Sequence, residues 1–288
     1  MMPHPAIAKD NAAVITGGAS GIGLAAAAHF AALGMKVCIA DIGADNLKAA
    51  EARLSSAAPG GAASIMAAKV DVSSRDELVA LEAAVQQRFG GTDILMNNAG
   101  ISPGAKMFGP LENWQRLLAV NLWGVIHGTQ VFAPQMIGRR RPGLIINTGS
   151  KQGITTPPGE PAYNVSKAGV KAFTEALQHE LRNIEGCRIT AHLLIPGHVF
   201  TGLTARGRTE KPPGAWTPEQ TVDFMIASLE AGDFYILCPD NDVPRSLDER
   251  RMLWAIGDIV ENRPALSRWH PDYAEAFAAF VKKGRSRR

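Results

Sequence analysis

Tyr163-Asn-Val-Ser-Lys167 sets a phenol and an ammonium four residues apart, a spacing that on a helix projects both side chains from one face. A free tyrosine has a pKa near ~10, poor for proton transfer at neutral pH. A neighbouring ammonium favours the phenolate and draws that value toward the working range. Ser150, thirteen residues earlier, closes Ile146-Asn-Thr-Gly-Ser150, and its hydroxyl can hold a substrate oxygen while charge develops there. Asn97-Asn98-Ala99-Gly100 closes another strand-like run, on the carboxyl edge where ligands of open parallel sheets bind. Asn121 falls inside a helical pattern, where asparagine costs stability and distorts the backbone. That cost invites a functional explanation, with a solvated asparagine as the plain alternative. A Tyr-xxx-Lys pair alone is common on surfaces; three further features in register with it make a catalytic constellation.

A second group of residues suits a nucleotide. Thr16-Gly-Gly-Ala-Ser-Gly-Ile-Gly23 directly follows the first strand-like run. Glycines there let the backbone turn sharply and approach a pyrophosphate, whose charge is favoured at the N-terminus of the following helix. Gly17, Ser20, Gly21, Ile22 and Gly23 are the expected contacts. Twenty-four residues after Gly17, the second strand ends in Asp41. A carboxylate at that point accepts hydrogen bonds from the adenosine ribose hydroxyls and repels a 2′-phosphate. Neither Gly18, Ala19 and Ser20 nor Ile42 supplies a lysine or arginine, so NAD is expected over NADP. The plain alternative is that Asp41 only caps the next helix. Asp71 and Val72, at the end of the third strand, are expected beside the adenine, although an aspartate there often serves only its turn.

These residues need a frame, and the chain supplies one by alternating apolar runs with helical patterns. Strands are expected at Ala12 to Thr16, Lys36 to Asp41, Ser64 to Val70, Asp93 to Asn97, Leu144 to Asn147, Arg188 to Leu194 and Phe234 to Leu237. Helices are expected near Gly21 to Leu33, Asp45 to Ser56, Ser74 to Phe89, Leu111 to Met136 and Ala162 to Asn183. Strand and helix alternating at this spacing imply right-handed crossovers. The expected fold class is α/β, a Rossmann-type doubly wound parallel sheet of about seven strands with helices on both faces. The chain reads as one domain over residues 1–288. Residues 239–288 would form a C-terminal extension with helices near Leu247 to Asn262 and Pro271 to Lys282, packing on the domain or on a partner subunit.

Composition sets the outer bounds. The 288 residues are 46% hydrophobic and 20% charged, with net charge +3, which is ordinary globular composition and too mild to argue for nucleic acid. Arg139, Arg140 and Arg141, and the tail Arg285, Arg287 and Arg288, read as solvated turns or ends. Cys38, Cys187 and Cys238 lie far apart in apolar surroundings and have no metal-ligand spacing, so they read as reduced core residues of a cytoplasmic protein, and no metal is expected. Met1 to Asp10 lacks a charged start before an apolar stretch, so no signal peptide is expected. No apolar run approaches the ~18–20 residues of a membrane span.

On these motifs the chain resembles the short-chain dehydrogenase/reductase family in its compact single-domain branch. Thr16 to Gly23 matches the family's TGxxxGxG, Asn97 to Gly100 its NNAG, and Pro196-Gly-His-Val-Phe-Thr201 its PG-x-V-x-T segment. Asn121, Ser150, Tyr163 and Lys167 match its catalytic tetrad, and the match runs from about residue 10 to residue 237. The resemblance implies that Tyr163 exchanges a proton with the substrate oxygen. It implies that Lys167 holds the nicotinamide ribose and lowers the tyrosine pKa, that Ser150 stabilises the substrate oxygen, and that Asn121 supports a water relay to Lys167. Pro196, Gly197, Val199 and Thr201 would hold the nicotinamide, and Asn98, Ala99 and Gly100 the ribose region. Hydride then passes between NAD and the carbinol carbon. It also implies a homo-oligomer, dimer or tetramer, paired through the helices that carry Asn121 and Tyr163.

The chain departs from the family pattern after its last strand. Phe234-Tyr-Ile-Leu-Cys-Pro-Asp and a helical extension replace the usual glycine-rich finish. That puts in doubt the family's C-terminal contacts and tetramer geometry, and the extension is expected to complete the pocket, because the segment Gly202 to Thr217 is short. Ile101, Ser102, Gln152, Gly153, Pro157 and His198 are the candidates around the nicotinamide face. They include no arginine clamp, so a mostly apolar or aromatic secondary alcohol or ketone is the expected small-molecule substrate. Trp216 and Trp254 either cap the site or fill core gaps. Two alternatives share the fold. A catalytically silent dinucleotide-binding sensor or scaffold would typically have lost Tyr163 or Lys167. A sugar epimerase or dehydratase would usually carry a larger substrate domain and a differently spaced glycine loop.

Overall fold

Three short, fully buried runs build the centre of the sheet, and their residue types explain why. Ala12–Thr16 (β1), Lys36–Asp41 (β2), Ile65–Lys69 (β3), Ile94–Asn97 (β4), Gly143–Thr148 (β5), Ile189–Ile195 (β6) and Tyr235–Leu237 (β7) make one seven-stranded sheet in the order 3-2-1-4-5-6-7. Every neighbouring pair is parallel. Strands β1, β4 and β5 are buried along their whole length, and such strands read as unbroken apolar runs because helices cover both faces. This is the computed structural model of residues 4–205 and 207–283; the tail arginines Arg285, Arg287 and Arg288 lie outside the described residues.

The covering helices follow in chain order: Gly21–Ala32 (α1), Ala44–Ala57 (α2), Arg75–Phe89 (α3), Leu111–Leu118 (α4), Gly124–Gly138 (α5), Gln152–Thr155 (α6), Pro161–Asn183 (α7), Gly202–Ala205 (α8), Pro218–Ala231 (α9), Arg245–Val260 (α10) and Ala274–Lys283 (α11). Two apolar layers result. Phe30, Ile15, Ile39, Met96, Ile146 and Met225 belong to one, Val14, Leu95, Leu78, Phe132 and Ile145 to the other. The chain reverses between β1 and β4, the switch point at which α/β sheets open a crevice.

Several expectations are met within a residue or two, and others are corrected. The long helical region near Leu111 to Met136 is two helices joined by a π-turn over Ala119–Trp123, and Asn121 sits inside it. A widened turn of this kind leaves the regular ladder, which is how the chain accommodates a buried asparagine. Helix α9 was hidden behind the loop-like Lys211-Pro-Pro-Gly. Its start is nonetheless marked by a reciprocal cap between Thr217 and Gln220, a recognisable helix-start pattern. Arg139 is not a solvated turn residue. It donates to the Thr92 carbonyl at 2.7 Å and pairs with the buried Asp93 carboxylate at 3.2 Å. Asp93 also accepts the Ala12 amide at 2.9 Å, so an unpaired aspartate there would be costly. Cys38 and Cys238 are buried, with thiols pushed up to about 12 by burial, whereas Cys187 is only half-buried.

Trp216 packs at a tilt of 59° against Phe224, and both lie against one of the two core layers. Trp254 packs edge-on against Phe277 and Phe280 and donates to Ser267 at 2.8 Å. Both fill apolar gaps, and neither reaches the cavities described below. Helix α10 packs on α6 of its own chain. No helix among the described residues is long and apolar enough to cross a membrane.

Candidate active site

The carboxyl ends of β1, β4 and β5 are stitched together by short polar side chains. Asn98 and Ala99 amides both donate to the Thr16 hydroxyl, at 3.0 and 3.2 Å. The Asn98 side chain donates to the Thr16 and Gly17 carbonyls, each at 3.3 Å, and accepts from the Thr148 hydroxyl at 3.2 Å. Beneath it, Asn97 donates to Thr129 and Asn147, and Asn147 to Thr174. A fully buried ladder of this kind fixes the strand ends relative to one another. Asn98 is therefore spent on the protein and shapes the floor of the site.

Above that floor the glycine loop folds tightly. A Cβ on Gly23 would sit 2.2 Å from the Gly17 carbonyl oxygen and 2.7 Å from the Asn98 amide, so only glycine lets α1 start this close to the sheet. Ser20 stands at the N-cap of α1 in extended conformation but makes no side-chain cap. The first amides of the helix thus face a cavity of about 680 Å³ without a capping side chain. The cavity is lined by Gly17, Ser20, Gly21, Ile22, Asp41, Asp71, Val72, Asn98, Ala99, Gly100, Tyr163, Lys167, Pro196, Gly197, Val199 and Thr201. The structure thus brings together every expected cofactor contact except Gly23, whose place is under the loop.

This cavity fits a dinucleotide. Uncapped helix amides and a positive dipole end suit a pyrophosphate. At the far end Asp41 accepts the Ala19 amide on one oxygen and the Gly43 amide on the other, each at 3.2 Å. Each carboxylate oxygen keeps accepting capacity for ribose hydroxyls, so Asp41 serves the loop and still faces the cavity. Ala40, Ile42, Val70, Asp71, Val72 and Ser73 surround it; Ile42 is exposed, and none of the six is basic. Asp71 accepts from the Ser73 amide and hydroxyl at 2.9 and 2.7 Å, so its carboxylate serves its own turn.

The acid/base group sits at the mouth. Pro161 opens α7, whose first turn presents Tyr163 while the next turn sends Lys167 inward. Ser150 and Tyr163 line the same two cavities, and the Ser150 hydroxyl accepts the Gln152 amide at 3.2 Å. Lys167 is buried, donates to the Thr148 carbonyl at 2.7 Å, and lies 5.7 Å from the Tyr163 ring centre. Burial pulls the Lys167 ammonium down to about 8. Burial pushes the Tyr163 phenol up to about 12; the Ser150 hydrogen bond opposes this and the Glu160 carboxylate adds to it. Desolvation dominates, and the Lys167 ammonium, which donates to the Thr148 carbonyl, is not among the groups that shift the phenol.

Asn121 is fully buried and accepts the Ile101 amide at 2.8 Å while donating to the Ile101 carbonyl at 2.9 Å. Its side chain clamps the strand exit behind Gly100 instead of reaching Lys167. Reasoning from motifs missed Thr148, which holds both Lys167 and Asn98; its place two residues before Ser150 at a strand end was the available signal.

A second cavity of about 410 Å³ opens beside Ser150 and Tyr163, which line both. Its wall is Ser102, Lys151, Gln152, Glu160, Pro196, Gly197, His198, Leu203, Thr204 and Arg208. Gly153 and Pro157 do not reach it, and Arg208 and Glu160 were not anticipated. The wall is mixed: Glu160, His198 and Arg208 stand beside Pro196, Gly197 and Leu203, so an arginine is present where none was expected. No cluster of three or more histidine, cysteine, aspartate or glutamate side chains able to hold a metal occurs among the described residues.

Known proteins share this arrangement. The family model described as short chain dehydrogenase matches residues 11–212. The 3-oxoacyl-acyl-carrier-protein reductase FabG of Thermotoga maritima is 36% identical over 77% of this chain and 83% of its own. The 3beta-hydroxysteroid dehydrogenase 1 of Eggerthella lenta is 38% identical over 68% of this chain and 74% of its own. A short chain dehydrogenase/reductase from Burkholderia phymatum, solved in complex with NAD, superposes with a TM-score of 0.79 at 30% identity, over 91% of this chain and 97% of that one. The family match, the sequence identities and the shared fold agree: the chain is an oxidoreductase of the short-chain dehydrogenase family.

Proposed function

We propose that the protein transfers a hydride between NAD and the carbinol carbon of a secondary alcohol or its ketone, with Tyr163 as acid/base. The observation that carries this reading is that Ser150 and Tyr163 both line both cavities and so stand at their junction. A reacting oxygen in the second cavity would meet both hydroxyls while its carbon faces the first. When bound, the nicotinamide supplies the hydride acceptor or donor, and its oxidised form carries a positive charge. The residues do the rest. Tyr163 gives the proton to a forming alkoxide in reduction, or takes it from the alcohol in oxidation. Ser150 donates a hydrogen bond to the same oxygen as charge develops on it. Lys167, anchored on Thr148, keeps a positive charge behind the phenol and presents its remaining donors to the ribose. Asn121 is a positioning residue in this reading: its clamp on Ile101 holds the wall beside Gly100.

Asp41, with the non-basic Ala40 and Ile42 on either side although Arg116 lines the same cavity, supports NAD over NADP, as does the NAD complex of the Burkholderia phymatum relative. The mixed wall of the second cavity, with Leu203 and Pro196 beside Glu160, His198 and Arg208, supports a secondary alcohol that carries both apolar and polar substituents. Exposed Trp123 and Val165, on the helices carrying Asn121 and Tyr163, support a homo-oligomer. The cofactor reading is tested by titrating NADH and NADPH into the protein and its Asp41→Asn variant. Tight NADH binding that weakens in the variant is expected; equal affinity for NADH and NADPH in the unmodified protein would refute it.

A further inference from the structure

We propose that Lys151, gripped between Asp240 and Asp248, is a positioning residue through which the C-terminal extension holds the substrate side of the active site; its catalytic consequence rests on the function proposed above. Lys151 follows Ser150 directly in the chain. Its ammonium lies 2.5 Å from the Asp248 carboxylate on α10 and 3.3 Å from Asp240 in the turn after β7. Both carboxylates are buried, at 4% and 6% exposure, and the ammonium is nearly so. Arg251, one turn along α10, stands 3.9 Å from the other oxygen of Asp248.

The same oxygen of Asp240 that faces Lys151 also accepts the His198 amide at 3.2 Å. Gly197 is pressed onto this pair: a Cβ there would lie 2.6 Å from the Asp240 oxygen and 2.9 Å from the Lys151 nitrogen. Asp240 is itself held rigidly, its second oxygen accepting the Val243 amide at 2.8 Å and the Asp242 amide at 3.2 Å. The ion cluster therefore ties together the residue after Ser150, the turn at Gly197 and His198, and the first turn of α10. Lys151, Gly197 and His198 line the second cavity. No described residue of the extension does, so the extension acts through them. A charged pair sealed this far from water is costly to form and costly to break on one side only. Such pairs earn their place where they fix one geometry, and the geometry fixed here is that of Ser150 against the His198 wall.

The test uses the full chain with Asp248→Asn, Lys151→Met and Lys151→Arg. Amide hydrogen exchange is followed in peptides spanning 150–155 and 196–199, with peptides of β1 and α1 as the internal reference. In Asp248→Asn and Lys151→Met, the Gln152 and His198 amides are expected to lose protection at least tenfold while the reference peptides keep theirs. Lys151→Arg should retain most of it. With any alcohol that the unmodified enzyme oxidises, kcat should fall about ten- to a hundredfold in Asp248→Asn, with the NADH dissociation constant within twofold. Unchanged protection at both amides would overturn the proposal, as would loosening spread evenly into β1 and α1, or an unchanged kcat beside the local loosening. If the unmodified protein turns over no alcohol, the proposed function fails and the exchange experiment alone decides the positioning role.

Discussion

Lys167 is buried, yet the proposed chemistry needs it charged, and this conflict has a thermodynamic signature. Its ammonium is pulled by burial from 10.5 to about 8 in the folded protein. An unfolded chain therefore binds a proton on this lysine at pH values where the folded chain has released it, and stability rises with pH across that window. The rise begins near the folded value of about 8 and ends near the unfolded 10.5. Integrating the linkage gives a gain of about 2.5 kcal/mol between pH 7 and pH 10 from this group alone. Tyr163, raised to about 12, works in the opposite direction only above its ordinary value near 10, so it leaves this window almost untouched. Lys167→Met removes the titration and keeps the volume. Urea unfolding at pH 7, 8, 9 and 10 should therefore show the difference in stability between the unmodified protein and Lys167→Met moving by about 2 to 3 kcal/mol toward the unmodified protein as pH rises. Parallel profiles would mean that Lys167 titrates alike in both states, and the buried-charge account of the site would be wrong.

Further predictions rest on single contacts. Asn121→Ala strands the half-buried amide and carbonyl of Ile101 and should cost about 1–3 kcal/mol in urea unfolding; a loss below about 0.5 kcal/mol would show that water replaces the clamp. Gly23→Ala forces the glycine loop away from the Gly17 carbonyl and should weaken NADH binding at least tenfold in a fluorescence titration, whereas unchanged affinity would remove the loop from the cofactor site. Trp123→Glu places a charge on an exposed aromatic of the expected pairing face, and light scattering should show smaller particles if that face joins subunits; an unchanged mass would move the interface elsewhere.

Much of the fold was legible because its signals are local. Buried strands such as Ala12–Thr16 and Ile94–Asn97 read as apolar runs ended by a polar residue that turns the chain. The anomaly at Asn121 announced the π-turn that holds it, although its partner Ile101 lies twenty residues away and no spacing points to it. The cofactor side of the site was legible for the same reason, since the glycine loop, Asp41 and the tyrosine helix are each written in one short segment. The substrate side was not. Arg208, Glu160, His198 and Lys151 come from four segments that only the folded chain brings together, and the Lys151–Asp248 pair spans almost a hundred residues. Charge partners so distant leave no pattern in the sequence, which is why Arg208 and Glu160 were not expected in the wall of the second cavity.

Turnover with the tyrosine removed tests the central claim most directly. Purified protein is mixed with NAD and a panel of secondary alcohols bearing hydroxyl, amide or carboxylate substituents beside plain apolar ones, and NADH formation is followed at 340 nm, about the usual absorbance maximum of the reduced cofactor. Tyr163→Phe, which keeps the ring against Lys167 and loses only the hydroxyl, runs in parallel with its NADH affinity measured. The account predicts turnover of at least one secondary alcohol of the panel that drops at least a hundredfold in the variant, with NADH binding retained. Turnover that persists in Tyr163→Phe would contradict the account.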